Sequence, residues 1–202
     1  MLLNFARTRL AGAIGAAVGT ASCLMLLLAP AMHAQSAQPY AAQLSAMFTT
    51  IQAGNATVSG AGIELQQRFN RLYASERFGA LSLGIGGQYT VHTKVRDELR
   101  ITGVFVEPRW VPATGTKRIF PYLSARLAVQ RLRGSFQFAA GGNTTGSAFG
   151  GGGGVAVKLA RQINLDAGAQ LVRQQFGTIG VLTFRPFTTY TAKVGISLGY
   201  PR

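Results

Sequence analysis

The feature that most restricts this chain is a two-residue alternation sustained over long segments. Near the carboxyl end, Tyr190, Ala192, Val194, Ile196, Leu198 and Tyr200 share one face of an extended strand, and Thr191, Lys193, Gly195, Ser197 and Gly199 share the other. The clearest instance is Phe78 to Val91, where Leu81, Leu83, Ile85, Tyr89 and Val91 oppose Ser82, Gly84, Gly86, Gln88 and Thr90. Such segments run for about 10 to 14 residues, longer than the usual soluble strand of about 5 or 6 and matched to the roughly 9 to 11 that cross a bilayer at a tilt. Helical periodicity is nearly absent past the first residues, and glycine is abundant.

Five further segments carry the same pattern. "TVSGAGIELQQRFN" sets Ala61, Ile63, Leu65 and Phe69 against Glu64, Gln66 and Arg68. Residues 101–111 set Val104, Val106 and Trp110 against Gly103, Glu107 and Arg109, with Phe105 breaking the pattern. Residues 119–131, 148–160 and 163–173 alternate likewise, so seven strands are evident. Closure of a single-chain bacterial barrel calls for an even number. The eighth is expected in "PYAAQLSAMFTTI", residues 39–51, where Leu44, Ala46 and Phe48 alternate weakly. With a periplasmic amino terminus, the outer connections fall at 52–56, 92–99, 132–147 and 174–187, and the shorter inner ones at 71–77, 112–118 and 160–162.

The chain opens on Arg7 and Arg9, an uncharged stretch from Leu10 to Ala31, and small residues in "LLLAPAMHAQSAQ", the layout of a secretory signal peptide. A cut after Ala34 leaves 1–34 as the leader and 35–202 as the barrel domain. Gly12, Gly15, Gly19 and Pro30 argue against a membrane anchor, and apolar residues after Cys23 argue against a lipidated cysteine. Cys23 is the chain's one cysteine, so the exported part has neither disulfides nor thiolate metal sites. Without Arg7 and Arg9, 18 basic residues face 6 acidic ones, a formal charge of +12. For an exported chain the expected anionic neighbours are phosphate-bearing lipid head groups and not nucleic acid. No cofactor is expected.

In a soluble β-protein the apolar face is the inside; in a membrane barrel it faces lipid, and the polar face must find its partners within a narrow lumen. That face carries Glu64, Arg68, Glu107, Arg109, Arg126, Lys158, Asp166 and Lys193, a set suited to a lumen laced with ion pairs. A solvated outer face would permit the same set, so a soluble periplasmic sandwich stays open. Phe69, Tyr73, Phe78, Trp110, Phe120 and Tyr200 fall near the strand ends assigned to the periplasmic side, where an aromatic girdle meets the membrane interface.

The leader, the glycine-rich alternating strands, "VAVKLARQINLDAGAQL" and the terminal "VGISLGY" together resemble the small outer-membrane β-barrel proteins of Gram-negative bacteria, the OmpA/OmpX-like class. The resemblance spans the exported chain and implies an all-β, eight-stranded antiparallel transmembrane barrel. It also implies that Tyr190, Val194, Ile196, Leu198 and Tyr200 form the signal read by the barrel-assembly machinery; Pro201 and Arg202 depart from the usual aromatic terminus.

Candidate sites follow. "GGGGGVAVK" lacks the Gly-Lys-Ser/Thr ending of a phosphate loop and leads into a strand. Some barrels of the resembling class are enzymes acting on lipid A through a histidine with serine and an acid. Here the exported chain's sole histidine, His92, stands at the start of an outer loop, followed by Asp97 and Glu98, with Ser135 and Ser147 in the next loop. Lys94, Arg96, Arg100, Arg131, Arg133 and Arg173 cluster at the same rim and are candidates to pair with lipopolysaccharide phosphates. The expected function is a non-enzymatic envelope-structural or surface-interaction protein with a largely filled lumen. A narrow channel for water or small ions and a lipid A-modifying enzyme are the alternatives.

Overall fold

The computed structural model describes residues 40–53, 56–94, 97–113, 118–136, 141–160, 162–179 and 182–198. The expected leader, Arg96 and Tyr200 lie outside them. The strands are β1 (Tyr40–Ala53), β2 (Ala56–Ser75), β3 (Gly79–Lys94), β4 (Asp97–Val111), β5 (Ile119–Ser135), β6 (Gly142–Lys158), β7 (Ile163–Phe176), β8 (Thr178–Ile179), β9 (Leu182–Thr183) and β10 (Phe187–Leu198). Eight of them close an antiparallel barrel in the order β1-β10-β7-β6-β5-β4-β3-β2, and β8 with β9 forms a small separate hairpin. The weakly alternating first segment is a full strand. β1 pairs with β2 from Tyr40↔Phe69 to Ala53↔Ala56 and with β10 from Ala42↔Leu198 to Gln52↔Thr188, which leaves no open edge.

The two faces sort as alternation requires. Along β5, Leu123, Ala125, Leu127 and Val129 point outward while Tyr122, Ser124, Arg126, Ala128 and Gln130 point inward; Leu127 is 62 % exposed and Arg126 3 %. Leu44, Phe48, Ile85, Val104, Phe149, Leu171, Val194 and Ile196 lie on the same outer belt. An apolar outside and a charged inside is the reverse of a soluble β-protein, and it is what a barrel crossing lipid requires.

The strands run further than the outward apolar stripe. Expected connections at 52–56, 92–99, 132–147 and 174–187 contract to 54–55, 95–96, 136–141 and 177–186, all at the end of the barrel remote from Tyr40 and Leu198. Beyond the belt the faces exchange polarity. Arg100, Arg131, Arg133 and Arg173 point outward there, while Ile51, Ile101, Leu132 and Phe176 point inward. A stripe read for outward apolar residues therefore ends before the strand does. The polar boundary also shifts in register around the barrel. Thr102 and Arg131 mark it on β4 and β5, where Val104 pairs with Val129, but on β6 Ser147 already stands opposite Val129, and on β7 Arg173 stands opposite Phe149. A plane cutting tilted strands produces such a stagger.

Two residues differ from expectation. Phe105 keeps the inward phase of Gly103 and Glu107, and packs in the lumen with Ala128, Ala148 and Val172. Phe120 shares the inward phase of Tyr122 and so leaves the girdle, whereas Tyr73, Phe78 and Trp110 are exposed. Trp110 Nε1 donates to the Phe78 carbonyl at 2.7 Å, tying the start of β3 to the end of β4.

Candidate functional site

Seven of the eight inward charges predicted from the alternation meet in one buried group, brought together from β2, β4, β5, β7 and β10. Glu107 lies at its centre: Arg68 Nη2 approaches Oε1 at 2.9 Å, Arg109 Nη2 approaches the same oxygen at 3.3 Å, and Lys193 Nζ approaches Oε2 at 3.0 Å. Gln170 Nε2 donates to Glu107 Oε2 at 2.7 Å. Glu64 accepts from Arg126 and, at 3.3 Å, from Lys193. Asp166 accepts from Arg109 Nη1 at 2.6 Å and from the Tyr122 hydroxyl at 2.8 Å.

Three carboxylates thus hold four cations, and every member is almost fully buried. A charge so placed is tolerated only when paired and hydrogen-bonded. The aromatic rings take the remaining faces: the Arg126 guanidinium stacks 3.7 Å over Phe105 and that of Arg109 stacks 3.6 Å over Tyr122. Lys158 is the exception among the eight. It sits half-buried at the last position of β6, outside this group, because its strand ends where the lumen opens.

The glycine-rich wall of β6 serves the same packing. A Cβ on Gly154 or on Gly168 would lie 2.5 Å from the Tyr122 hydroxyl, so only glycine at these positions lets the phenol reach Asp166.

Toward the opposite end the lumen becomes polar and then apolar. His92 is buried inside β3 and not solvated in a loop, which corrects its expected place. Its Nε2 lies 2.7 Å from Thr49 Oγ1. A cavity of about 10 Å³, roughly the space of one water molecule, is bordered by His92, Thr49, Gln130, Gln174 and Thr189. Neither Ser135 nor Ser147 joins His92: Ser135 pairs with Glu98 at the exposed end of β5, and Ser147 is an exposed residue of β6. Above this layer Ile51, Ile101, Leu132, Phe176 and Phe187 form an apolar cluster, closed by Ile179 of β8 and flanked by Leu99 and Phe184. The sequence sign of this plug is the placing of Ile101 and Leu132 in the inward phase of β4 and β5.

The basic rim is partly assembled. Arg100 stands directly opposite Arg133, and Thr102 opposite Arg131. Arg100 is paired with Glu98 on its own strand. Arg173 is exposed on β7, away from that trio, and Lys94 is exposed at the end of β3 opposite Asp97. The outward positions Tyr190, Val194, Ile196 and Leu198 line one face of β10.

No protein-family model matches the chain, and no curated protein sequence does. Among solved structures it is similar to Neisserial surface protein A, with a TM-score of 0.65 and 15% identity over 82% of this chain and 100% of that one. It is also similar to Ail, the attachment invasion locus protein of Yersinia pestis, with a TM-score of 0.51 and 10% identity over 79% and 96% of the two chains. At these identities the likeness is one of fold. The closed barrel, its outward apolar belt and these neighbours define the class: the fold is that of the small eight-stranded outer-membrane β-barrels, OmpA/OmpX-like in type.

Proposed function

We propose that this protein resides in the outer membrane as a non-enzymatic barrel with a sealed lumen, and that its envelope-structural or surface-interaction role is carried by its outer surface and extracellular end. The observation that carries this reading is the filling of the lumen by two unlike plugs, the ion-paired group around Glu107 and the apolar cluster around Leu132. The end bearing Tyr40 and Leu198 then faces the periplasm, and the end where the strands project past the belt faces outward. The outward row Tyr190, Val194, Ile196 and Leu198 supports recognition of β10 by the barrel-assembly machinery, a signal to which the sequence alternation adds Tyr200. The burial of His92 away from Ser135 and Ser147 favours this reading over lipid A chemistry, since a base needs its partner within hydrogen-bond reach.

The test is conductance in planar bilayers. Wild-type protein is expected to pass no steady ion current, and a steady current at low voltage would replace this reading with the narrow channel. A His92→Ala variant is expected to leave the lipid A profile of its host unchanged, and an altered profile would restore the enzyme.

A further inference from the structure

The outward belt carries a groove on one side of the barrel. Across β3 to β6 a groove of about 570 Å³ is lined by Ile85, Val104, Val106, Leu127, Val129 and Phe149. Beside it on β3, Gly87 stands in register with Val104 and presents no side chain. A Cβ built at Gly87 would meet only the Gly103 carbonyl oxygen, at 3.7 Å. A side chain at Gly87 would therefore enter open space beside Val104 without moving the backbone.

The rows directly above the groove are basic. Val104 pairs with Val129, the next outward pair is Thr102 with Arg131, and the next is Arg100 with Arg133. Outward positions recur about 7 Å apart along a strand, so Arg131 lies within side-chain reach of the groove's upper end, and the Arg100–Arg133 row lies about 14 Å above it, adjoining Arg131. Arg100 and Arg133 face each other across the strand pair, an arrangement that like charges disfavour. Glu98 offsets this only from the side of Arg100. Arg131 and Arg133 are exposed and have no ion-pair partner among the described residues. Arg173, in register with Phe149, adds a cation at the groove's far margin. An anion at Arg131 and Arg133 would relieve the repulsion, and an apolar tail continuous with that anion would enter the groove.

We propose that this face holds one acylated, phosphorylated glycolipid, the lipid A part of lipopolysaccharide. A phosphate would sit between Arg131, Arg133 and Arg100, and an acyl chain would lie along Val104, Leu127 and Val129. The proposal rests on the outer-membrane reading above and adds a defined site to it.

The experiment uses the full chain folded into nanodiscs, with native mass spectrometry reading retained lipid after exchange against either purified lipid A or phosphatidylglycerol. Wild-type protein is expected to retain lipid A in preference to phosphatidylglycerol. The Arg131→Gln/Arg133→Gln pair is expected to reduce retention at least about tenfold, the effect of losing one charge-assisted hydrogen bond. Gly87→Leu, which adds a side chain beside Val104 at the groove's edge and leaves the arginines intact, should reduce it as well. Folding is read separately from the heat-dependent gel shift of each variant. Undiminished retention in the folded arginine pair overturns the proposal, as does equal retention of both lipids by the wild type. Failure of the wild type to show the gel shift or to enter the outer-membrane fraction would instead sink the outer-membrane reading, so the two failures are distinct.

Discussion

The two ends of the lumen are built from opposite chemistry. Toward the terminal end, Glu64, Glu107 and Asp166 are matched by Arg68, Arg109, Arg126 and Lys193, while the remote end is closed by Ile51, Ile101, Leu132, Phe176 and Phe187. The difference follows from what lies outside the wall at each level. Where the outer face meets lipid, the inside is the place left for polar side chains, and they must satisfy one another. Where the outer face meets water, Arg131 and Arg133 turn outward and the wall packs like an ordinary soluble core. β5 carries both regimes in one strand: Arg126 inward beside Leu127 outward, then Leu132 inward between Arg131 and Arg133 outward. The exchange of faces along a single strand marks the membrane boundary more directly than loop length does.

The largest effect that would sharpen this contrast is expected from Glu107→Ala. It leaves Arg68 without a carboxylate and takes one of two carboxylate partners from each of Arg109 and Lys193, and breaking a buried pair costs about 3–5 kcal/mol. Denaturant unfolding in vesicles should show a correspondingly lower midpoint with an unchanged slope, and a shift under about 1 kcal/mol would mean that water reaches the network. Leu132→Ala in the apolar plug removes packing without leaving a charge and should cost about 2–5 kcal/mol by the same assay. Insensitivity to it would show that the plug is loosely packed or open.

A third pair tests the boundary itself. Leu127→Arg places a cation in the lipid-facing belt and should cost about 2 kcal/mol, while Arg131→Leu, two outward positions higher, should stay within about 0.5 kcal/mol. Equal effects would remove the distinction between the two levels.

Much of this barrel is legible from alternation because β-structure converts sequence phase directly into face. The same period that put Leu127 outside put Arg126 inside, and even the weak Leu44, Ala46, Phe48 stripe marks β1. Phe105 broke the expected pattern only because an aromatic was not expected in a polar lumen; its ring is a platform for Arg126. The pairing of charges was not readable. Lys193 meets Glu64 across 129 positions of sequence, and which cation reaches which carboxylate depends on the stagger of the closed barrel. His92 was misplaced for another reason: β3 continues past the belt, where the rule linking apolar residues to the outside no longer applies.

The most direct test of the account is to place single cysteines at successive outward positions of β5, in a Cys23→Ser background, and label each with a polarity-sensitive fluorophore in lipid vesicles. Leu127→Cys and Val129→Cys should be quenched by lipid-borne quenchers and shielded from aqueous iodide, and Arg131→Cys and Arg133→Cys should show the reverse. A switch between 129 and 131 would establish the inside-out barrel and its boundary. Uniform quenching by iodide along the whole strand would contradict it and return the apolar belt to the surface of a protein that does not cross lipid.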